Sequence, residues 1–317
     1  MNTDRLTFGD QYDRSIEDVQ WPAGLKQVTF GRLFNKPLDR VKWPSTLVEI
    51  VFGFNFNAPV VGMPLPAGLR KVRFGCGFNQ ALEGVRWPSS LRDISFGNGF
   101  NKPIRGVVWP EGLKTLTLGW DFNQAVEGVV WPRGMEELIF SGRFNQPVEG
   151  AVFPASLQRL DFGTTFDRPV SRVSWPTSLK RLTFGCLYNH TLERTRLPMG
   201  LEMLTLGCSW NQPLASVALP AGLTSLSLGH DFDQPLDNVR WPAGLRELSI
   251  GDSFDRSLNG VEWPATLKTV TIGDAFDQPL EAVEWPPALE YLSLGARFSQ
   301  SLEGTLWPAR LTTLMFG

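Results

Sequence analysis

The chain has 317 residues, of which 42% are hydrophobic and 20% are charged, and its formal net charge is −2. These values are typical of a folded globular protein and exclude a global charge bias toward nucleic acid or an anionic membrane. No apolar run approaches the roughly 20 residues of a membrane span, so no membrane insertion is expected. The first residues lack the features of a secretory signal, and the cysteines number three. We therefore predict an intracellular, cytoplasmic protein without a disulfide framework.

A proline recurs along the chain at a constant interval. Its positions are all multiples of 22: Pro22, Pro44, Pro66, Pro88, Pro110, Pro132, Pro154, Pro176, Pro198, Pro220, Pro242, Pro264, Pro286 and Pro308. A fixed period of this length predicts a stack of repeats in which each unit contacts only its neighbours. The sequence thus predicts a single solenoid domain over residues 1–317, with no obvious capping unit.

Each repeat contains one short predicted strand that is followed by a glycine. In the repeat that begins at residue 242, apolar Leu248 alternates with Glu247 and Ser249, which is the two-residue period of a strand. Gly251 follows, and glycine ends 14 of the 15 strands, with Ser141 as the exception. Because glycine adopts backbone conformations that are costly for other residues, we expect it to turn the chain there.

The rest of the repeat leaves no room for a long helix. An aromatic residue such as Phe232 comes three residues after the glycine, and a short polar residue such as Asp233 follows it. The aromatic residues predict a buried column, and the polar ones predict bonds to nearby backbone N–H groups. Two prolines, such as Pro235 and Pro242, then bracket a return arm that ends in Trp-Pro.

The pattern Pro-x-x-Leu-x-x-Leu-x-Phe-Gly-x-x-Phe-Asn-x-Pro-Leu resembles the FNIP repeat, a relative of the leucine-rich repeat. Residues 144–148, Phe-Asn-Gln-Pro-Val, correspond to the family's core, and the likeness covers essentially the whole chain. Departures are local, such as Ala81 for the first proline and Phe153 for the tryptophan. The resemblance implies a mainly β, leucine-rich-repeat-like solenoid with a parallel sheet of 15 short strands, irregular proline-rich return arms and little or no long helix. It also implies an interaction surface.

Relatives of the leucine-rich repeat bind partners on the face of the sheet, here the residues five and seven after each proline. This face is charged over the first two thirds of the chain and rich in Ser and Thr toward its end. We predict a non-catalytic scaffold for a protein partner; the alternative is a structural subunit packed permanently in a large assembly. The simpler interpretation of the Ser and Thr rows is that they are solvated strand positions. The expected partner-binding residues are Lys71, Arg73, Asp93, Glu137, Arg159, Asp161, Arg181, Asp231, Asp252 and Asp274.

The last three of these residues belong to an acidic stretch that also includes Asp233, Asp255 and Asp277. Stacked repeats should place such carboxylates one strand spacing apart, where they repel each other. Ca²⁺ or a basic partner would relieve this repulsion. We favour the alternative that Asp233, Asp255 and Asp277 each replace an Asn as a backbone cap, and we predict no metal or other cofactor.

Other patterns carry less chemistry. Cys186 and Cys208 share one repeat position, but reduced thiols are favoured because disulfide geometry is demanding. The two histidines, His190 and His230, lie in different repeats, and no nucleophile or phosphate-binding motif is found, which disfavours an enzyme. Basic residues between 159 and 196 form no continuous stripe, so nucleic-acid binding is not expected. Both ends are ordinary repeats, so we expect a partner or further repeats to cover them.

Overall fold

The computed structural model describes residues 3–317, which contain fifteen β-strands and no helix. The residues form two compact units, Met1–Gly163 (unit 1) and Thr164–Gly317 (unit 2). The predicted fold class, a parallel β-solenoid with irregular return arms, is confirmed. The expectation of a single domain over the whole chain stays a prediction.

Unit 1 stacks eight strands in chain order, and each strand pairs in parallel with the next. The register repeats: Leu6 lies opposite Val28, and Ile50 lies opposite Val72. In β2–β8 the middle residue is buried, as the alternating pattern predicts. The strands are β1 (Arg5–Thr7), β2 (Gln27–Thr29), β3 (Glu49–Val51), β4 (Lys71–Arg73), β5 (Asp93–Ser95), β6 (Thr115–Thr117), β7 (Glu137–Ile139) and β8 (Arg159–Asp161).

Unit 2 stacks seven strands in the same manner, again parallel and in chain order. Leu204, for example, lies opposite Leu182 on one side and Leu226 on the other. All three of these side chains are buried, so the middle residues of the strands form one wall of the core. The strands are β9 (Arg181–Thr183), β10 (Met203–Thr205), β11 (Ser225–Ser227), β12 (Glu247–Ser249), β13 (Thr269–Thr271), β14 (Tyr291–Leu294) and β15 (Thr313–Phe316).

Turns close each coil, and each turn ends on an apolar residue of the repeat. The N–H of Leu25 donates to the carbonyl oxygen of Pro22 at 3.3 Å, three residues back. In the same way the N–H of Phe34 donates to the carbonyl oxygen of Gly31 at 3.4 Å. A third turn ends on a residue of the return arm, as at Val41. The recurring leucine, phenylalanine and valine are therefore the positions at which the chain changes direction and its side chain enters the core.

At most strand ends the glycine is required for close packing and not for a left-handed backbone. Gly31 has no positive φ, and a Cβ placed on it would overlap the carbonyl group of Gly9 in the preceding coil. Gly53 meets Gly31 in the same way. Left-handed glycines occur mostly in the return arms instead, as at Gly62 with φ 82°, and Gly163 is the one strand-end glycine within residues 3–317 that has a positive φ. The expectation of a special turn conformation at this position is therefore wrong for nearly all coils.

Unit 1 contains two stacked columns of phenylalanine rings. Phe96, at the end of β5, lies 4.1 Å from Phe100 in its own coil and 5.1 Å from Phe74 in the preceding coil, measured between ring centroids. All three side chains are buried. Phe96 therefore packs against rings both within its own coil and in the preceding coil.

Unit 2 keeps the aromatic column of the turn but has mostly aliphatic strand ends. Phe232 and Phe254 stack with ring centroids 6.1 Å apart, whereas the strand-end position between them in the sequence is Ile250. A tryptophan column lies on the return arms, where Trp241 and Trp263 stack at 5.9 Å. The predicted columns of aromatic side chains are confirmed.

Candidate protein-interaction surface

The outward side chains of the strands form a surface that we call the strand face. In β4, Lys71 and Arg73 point outward while Val72 between them is fully buried. The same alternation repeats in β5–β14, because successive residues of a strand point to opposite sides of the sheet. Seven of the predicted contact residues lie on this face: Lys71, Arg73, Asp93, Glu137, Arg159 and Asp161 in unit 1, and Arg181 in unit 2.

Most of the charges predicted for the strand face of unit 1 are paired with one another. Lys71 Nζ lies 2.6 Å from Asp93 Oδ2, and these two side chains are 29% and 30% exposed. Arg73 Nε lies 3.7 Å from Glu49 Oε1. Because paired charges of opposite sign largely cancel at a distance, this part of the face presents a weaker field than its residue types suggest.

Three further predicted residues occupy the neighbouring strands of unit 1, and one begins the first strand of unit 2. Arg159 Nη2 and Asp161 Oδ2 are 3.7 Å apart within β8. Glu137 lies opposite Arg159 in the register of the sheet. Within residues 3–317, neither Glu137 nor exposed Arg181 has an ion-pair partner within 4.0 Å. These two charges are therefore available to a ligand.

The strand face of unit 2 is dominated by hydroxyl groups. Ser225 and Ser227 of β11 lie opposite Glu247 and Ser249 of β12. Met203 adds one apolar side chain that is 40% exposed. This unit therefore offers a mainly neutral, hydrogen-bonding surface. Its hydroxyl residues are Thr183, Thr205, Ser225, Ser227, Ser249, Thr269, Thr271, Ser293 and Thr313.

A column of ion pairs borders the strand face, and sequence analysis missed it. Lys114 and Glu136, which immediately precede β6 and β7, approach to 2.7 Å. Lys268 and Glu290 do the same in unit 2, also at 2.7 Å. The hydrogen bond from Lys268 holds the pKa of Glu290 below its usual value. The available signal was the occurrence of opposite charges 22 residues apart at one repeat position.

Polar side chains of the turns form a second regular feature, which we call the polar ladder. The backbone N–H of Asn57 donates to Oδ1 of Asn35 at 2.8 Å, one coil earlier. Gln80 Nε2 donates to Oδ1 of Asn57 at 3.1 Å. In unit 2 the N–H of Asp255 donates to Oδ1 of Asp233 at 3.0 Å. The predicted capping role of these Asn and Asp residues is confirmed, with the bond running between coils.

Two carboxylates of the polar ladder, Asp13 and Asp277, are stabilised in their charged form. The pKa of Asp277 is lowered, first by the backbone N–H of Ser299, which donates to its Oδ1 at 2.8 Å. The pKa of Asp13 is lowered as well, first by a hydrogen bond from Lys36 and then by the backbone N–H of Asn35. Hydrogen bonds to an ionised carboxylate favour that form. The capping role therefore requires no bound cation.

The remaining three predicted aspartates lie in the turns of unit 2 and have different contacts. His230 Nδ1 lies 2.7 Å from Asp252 Oδ2, and His230 Nε2 lies 3.9 Å from Asp231 Oδ1. Asp274 Oδ1 accepts the backbone N–H of Ala296 at 3.3 Å. Over residues 3–317, no group of three or more His, Cys, Asp or Glu side chains is arranged to hold a metal ion. The structure thus places Asp231 and Asp252 around one histidine and assigns Asp274 to a backbone bond.

Two cysteines of unit 2 are joined. Cys186 and Cys208 form a disulfide between adjacent coils, with their Cα atoms 4.4 Å apart. The expectation of reduced thiols is therefore wrong for this pair, while Cys76 in unit 1 is a free thiol. Disulfides are rare in reducing compartments. The predicted cytoplasmic location stays a prediction, and this bond argues against it.

Comparison with known proteins identifies similar repeats. The family model of the FNIP repeat matches residues 100–143, 144–187, 188–231 and 210–253. No curated protein sequence matches the chain significantly. Of the part of the chain that the structure describes, no segment is a helix long and apolar enough to cross a membrane.

Solved structures of leucine-rich-repeat proteins are also similar. CroV588, described as a circular LRR protein, is 30% identical with a TM-score of 0.69, and the match covers 99% of this chain and 56% of CroV588. The chain therefore spans a little over half the length of that protein. An internalin, inlF, from Listeria monocytogenes is 13% identical with a TM-score of 0.49, over 99% of this chain and 87% of the internalin.

Proposed function

From the match to the FNIP repeat over residues 100–253, we infer that the chain is a non-catalytic scaffold that binds a protein partner through the strand face. FNIP repeats and leucine-rich repeats are typically non-catalytic. Stacked repeats present an extended surface on which many coils contribute side chains in register. Such a surface suits recognition of another protein better than conversion of a small substrate. Nucleic acid is not proposed as a partner, because the net charge is −2.

The observation that carries the proposal is the regular outward projection of the strand residues in both units. Glu137 and Arg181 are central to it, because neither side chain has an ion-pair partner within 4.0 Å in the described part of the chain. The paired residues Lys71 and Asp93 contribute shape and hydrogen-bonding groups. The proposed contact set also includes Arg73, Arg159 and Asp161 on the strand face, and Asp231, Asp252 and Asp274 in the turns of unit 2.

The test is a comparison of matched variants in affinity purification followed by binding of the purified partner. Glu137→Lys and Arg181→Glu reverse the two available charges, and Glu281→Lys reverses an exposed charge on a return arm. We expect the two strand-face variants to lose the partner while Glu281→Lys retains it, because reversed charges repel the complementary residues of a partner. Equal retention by all three variants would show that binding occurs elsewhere.

The alternative function is that of a structural subunit held permanently in a large assembly. Exposed apolar side chains such as Phe54, which is 52% exposed, favour this alternative because isolated proteins rarely tolerate extended apolar surface. Sedimentation velocity of the purified chain separates the two functions. A scaffold that binds reversibly should sediment as a monomer, whereas a permanent subunit should aggregate in the absence of its assembly.

A further inference from the structure

One asparagine of the polar ladder lies in a short sequence that the proposed function does not use. Residues 189–191, Asn-His-Thr, are the one place in the chain where Asn is followed two residues later by Ser or Thr. This tripeptide is an acceptor sequence for N-linked glycosylation, because its middle residue is not proline. Its significance depends on whether the folded chain has room for a glycan on the asparagine amide.

The threonine of this sequence occupies a position that is usually proline. A hydroxyl residue there has a structural role, since Thr191 Oγ1 accepts the backbone N–H of Glu193 at 3.2 Å. Ser257 and Ser301 accept the equivalent N–H in their own coils, but their ladder residues are Asp255 and Ser299. Only the coil of Asn189 therefore combines the hydroxyl with an acceptor amide. Proline holds the position in eight repeats: Pro37, Pro59, Pro103, Pro147, Pro169, Pro213, Pro235 and Pro279.

The polar ladder orients the side-chain amide of Asn189. Its Oδ1 accepts the backbone N–H of Asn211 and Nε2 of Gln212, both at 3.0 Å. Because both neighbours are donors, the amide oxygen must be the atom that faces the next coil. The side chain is exposed, and within residues 3–317 no hydrogen bond involves its Nδ2. The fold therefore does not need the nitrogen to which a glycan would be attached.

A glycan on Nδ2 is compatible with the contacts of this turn. A glycosylated amide keeps its carbonyl oxygen, so both hydrogen bonds to Oδ1 can remain. The backbone N–H of Asn189 donates to Asp167 Oδ1 at 3.2 Å, and the carbonyl oxygen of His190 accepts Nε1 of Trp210 at 3.1 Å. These bonds hold the backbone of the turn in place without using the asparagine nitrogen.

The disulfide of unit 2 is a second observation, and it indicates the compartment. Cys186 lies three residues before Asn189 and is joined to Cys208 in the next coil. Disulfides form and persist in the oxidising secretory pathway and are rare in the cytosol. N-linked acceptor sequences are likewise used in secreted proteins. The cysteine pair and the acceptor sequence differ in chemistry but require the same environment, so each supports the other.

We propose that Asn189 is the attachment site of an N-linked glycan, on a chain that matures in an oxidising secretory compartment. The donor is an oligosaccharide linked to a lipid diphosphate. A bond forms between Nδ2 and C1 of the first sugar, and the bond between C1 and the phosphate oxygen breaks. The lipid diphosphate leaves with the electron pair of that bond, and Nδ2 loses one proton. This site is independent of the strand face, and it is an alternative to the cytoplasmic location predicted from the sequence.

The test uses the full chain purified from its source and mapped by mass spectrometry. Trypsin cleaves after Arg181 and Arg194, so the peptide of residues 182–194 contains both Cys186 and Asn189. We expect this peptide to carry a glycan and, without a reducing agent, to be linked to the peptide that contains Cys208. Release of the glycan by an amidase specific for N-linked glycans should convert Asn189 into Asp. A glycan-free peptide would overturn the proposal, whether or not the disulfide is present.

Matched variants separate the acceptor sequence from the fold. Thr191→Pro introduces the residue that Pro147 and Pro213 supply at this position, so the coil should form while the acceptor sequence is lost. Thr191→Ser keeps an acceptor sequence. We expect complete loss of the glycan in the first variant and its retention in the second. Retention of the glycan by Thr191→Pro would overturn the proposal, because the sugar would then be attached by another route.

A gained site tests the geometry of the polar ladder. Asp255 is exposed, and its Oδ1 accepts the backbone N–H of Asp277 at 3.0 Å and Nε2 of Gln278 at 2.9 Å. These contacts match those of Asn189. Asp255→Asn with Ser257→Thr completes an acceptor sequence in that coil, and we expect this double variant to carry one glycan more than the wild type. A folded double variant that is modified at Asn189 alone would overturn the inference that the ladder presents the amide for glycosylation.

Discussion

The two units build the same coil from different side chains. Unit 1 places Phe96 beside Phe100 with ring centroids 4.1 Å apart, whereas unit 2 places aliphatic residues such as Ile250 at the strand end. The strand face is charged and paired in unit 1, and it is rich in hydroxyl groups in unit 2. The polar ladder is mostly Asn in unit 1, whereas in unit 2 it includes Asp167, Asp233, Asp255 and Asp277.

This difference shows which positions determine the coil and which are free to vary. Both units keep the proline, the apolar residue three positions later (leucine except for Met135) and the aromatic residue of the turn, because these positions form the turns. The strand-end side chain, the ladder residue and the outward strand residues change without altering the register. Stability and binding chemistry can therefore differ between units that share one backbone.

The largest effect is expected in the aromatic core of unit 1. Phe96→Ala removes a buried ring that contacts Phe74 and Phe100, and we expect a loss of about 3–5 kcal/mol in the free energy of unfolding. Phe96→Leu should cost less, because Leu118 already fills this position in the next coil. Urea unfolding followed by circular dichroism measures both variants. A Phe96→Leu variant as stable as wild type would show that the stacked rings add nothing beyond aliphatic packing, whereas equal losses would show that leucine cannot replace the ring.

The disulfide of unit 2 should give the next largest effect. Cys208→Ser opens a loop of 22 residues, and we expect a loss of about 3 kcal/mol under oxidising conditions. The difference from wild type should disappear when a reducing agent is present. Cys76→Ser, which removes the free thiol of unit 1, serves as the control and should change little. If a reducing agent leaves the free energy of unfolding of the wild-type protein unchanged, the disulfide does not stabilise the fold.

A smaller effect is expected in the polar ladder of unit 1. Asn57→Ala removes the acceptor of the Asn79 N–H, at 2.9 Å, and of Gln80 Nε2, at 3.1 Å. We expect a loss of about 1–2 kcal/mol, since a partly buried donor is left without its acceptor. Asn57→Asp keeps an acceptor oxygen and should be less destabilising at neutral pH. Thermal melting compares the two, and identical losses would exclude the ladder as the cause.

The pH dependence of the polar ladder should show the smallest effect, and Asp277 of unit 2 is the residue that tests it. The lowered pKa of Asp277 means that its stabilising contribution is present above the pKa of the unfolded state. That contribution is lost as the pH falls through the folded pKa. Asp277→Asn should therefore flatten the decline of the melting temperature between about pH 5 and pH 2. An unchanged decline would assign the acid sensitivity to other carboxylates, such as Asp13.

Much of the fold could be predicted because the same 22-residue pattern recurs along the whole chain. Alternation around Leu248 marked the strand, and the interval of 22 residues fixed the register before any contact was known. The hydrogen bond from the backbone N–H of Asp255 to Asp233 could be predicted in kind, because a short polar residue that recurs at one turn position usually caps backbone N–H groups. The function of the strand-end glycine was misjudged, since its close contact lies between coils that are distant in the sequence.

The candidate surfaces were less predictable than the fold. The sequence identified Lys71 and Asp93 as charged residues of the strand face. It could not predict that they form an ion pair, because the pairing depends on side-chain conformation. The disulfide required knowledge of how closely two adjacent coils approach at Cys186. Val108, Val130 and Val152 stand out in the sequence as three consecutive valines at one repeat position, but their exposure depends on which side of the arm faces solvent.

The polar ladder has a consequence for how pieces of this protein would behave. In each step the side-chain oxygen belongs to the earlier coil and the N–H to the later one, as for Asn35 and Asn57. Cleavage of the chain between two coils thus leaves unpaired side-chain oxygen acceptors on the upstream fragment and unpaired backbone N–H donors on the downstream fragment. Those broken surfaces complement each other but not copies of themselves, so separated fragments should rejoin head to tail and resist pairing head to head.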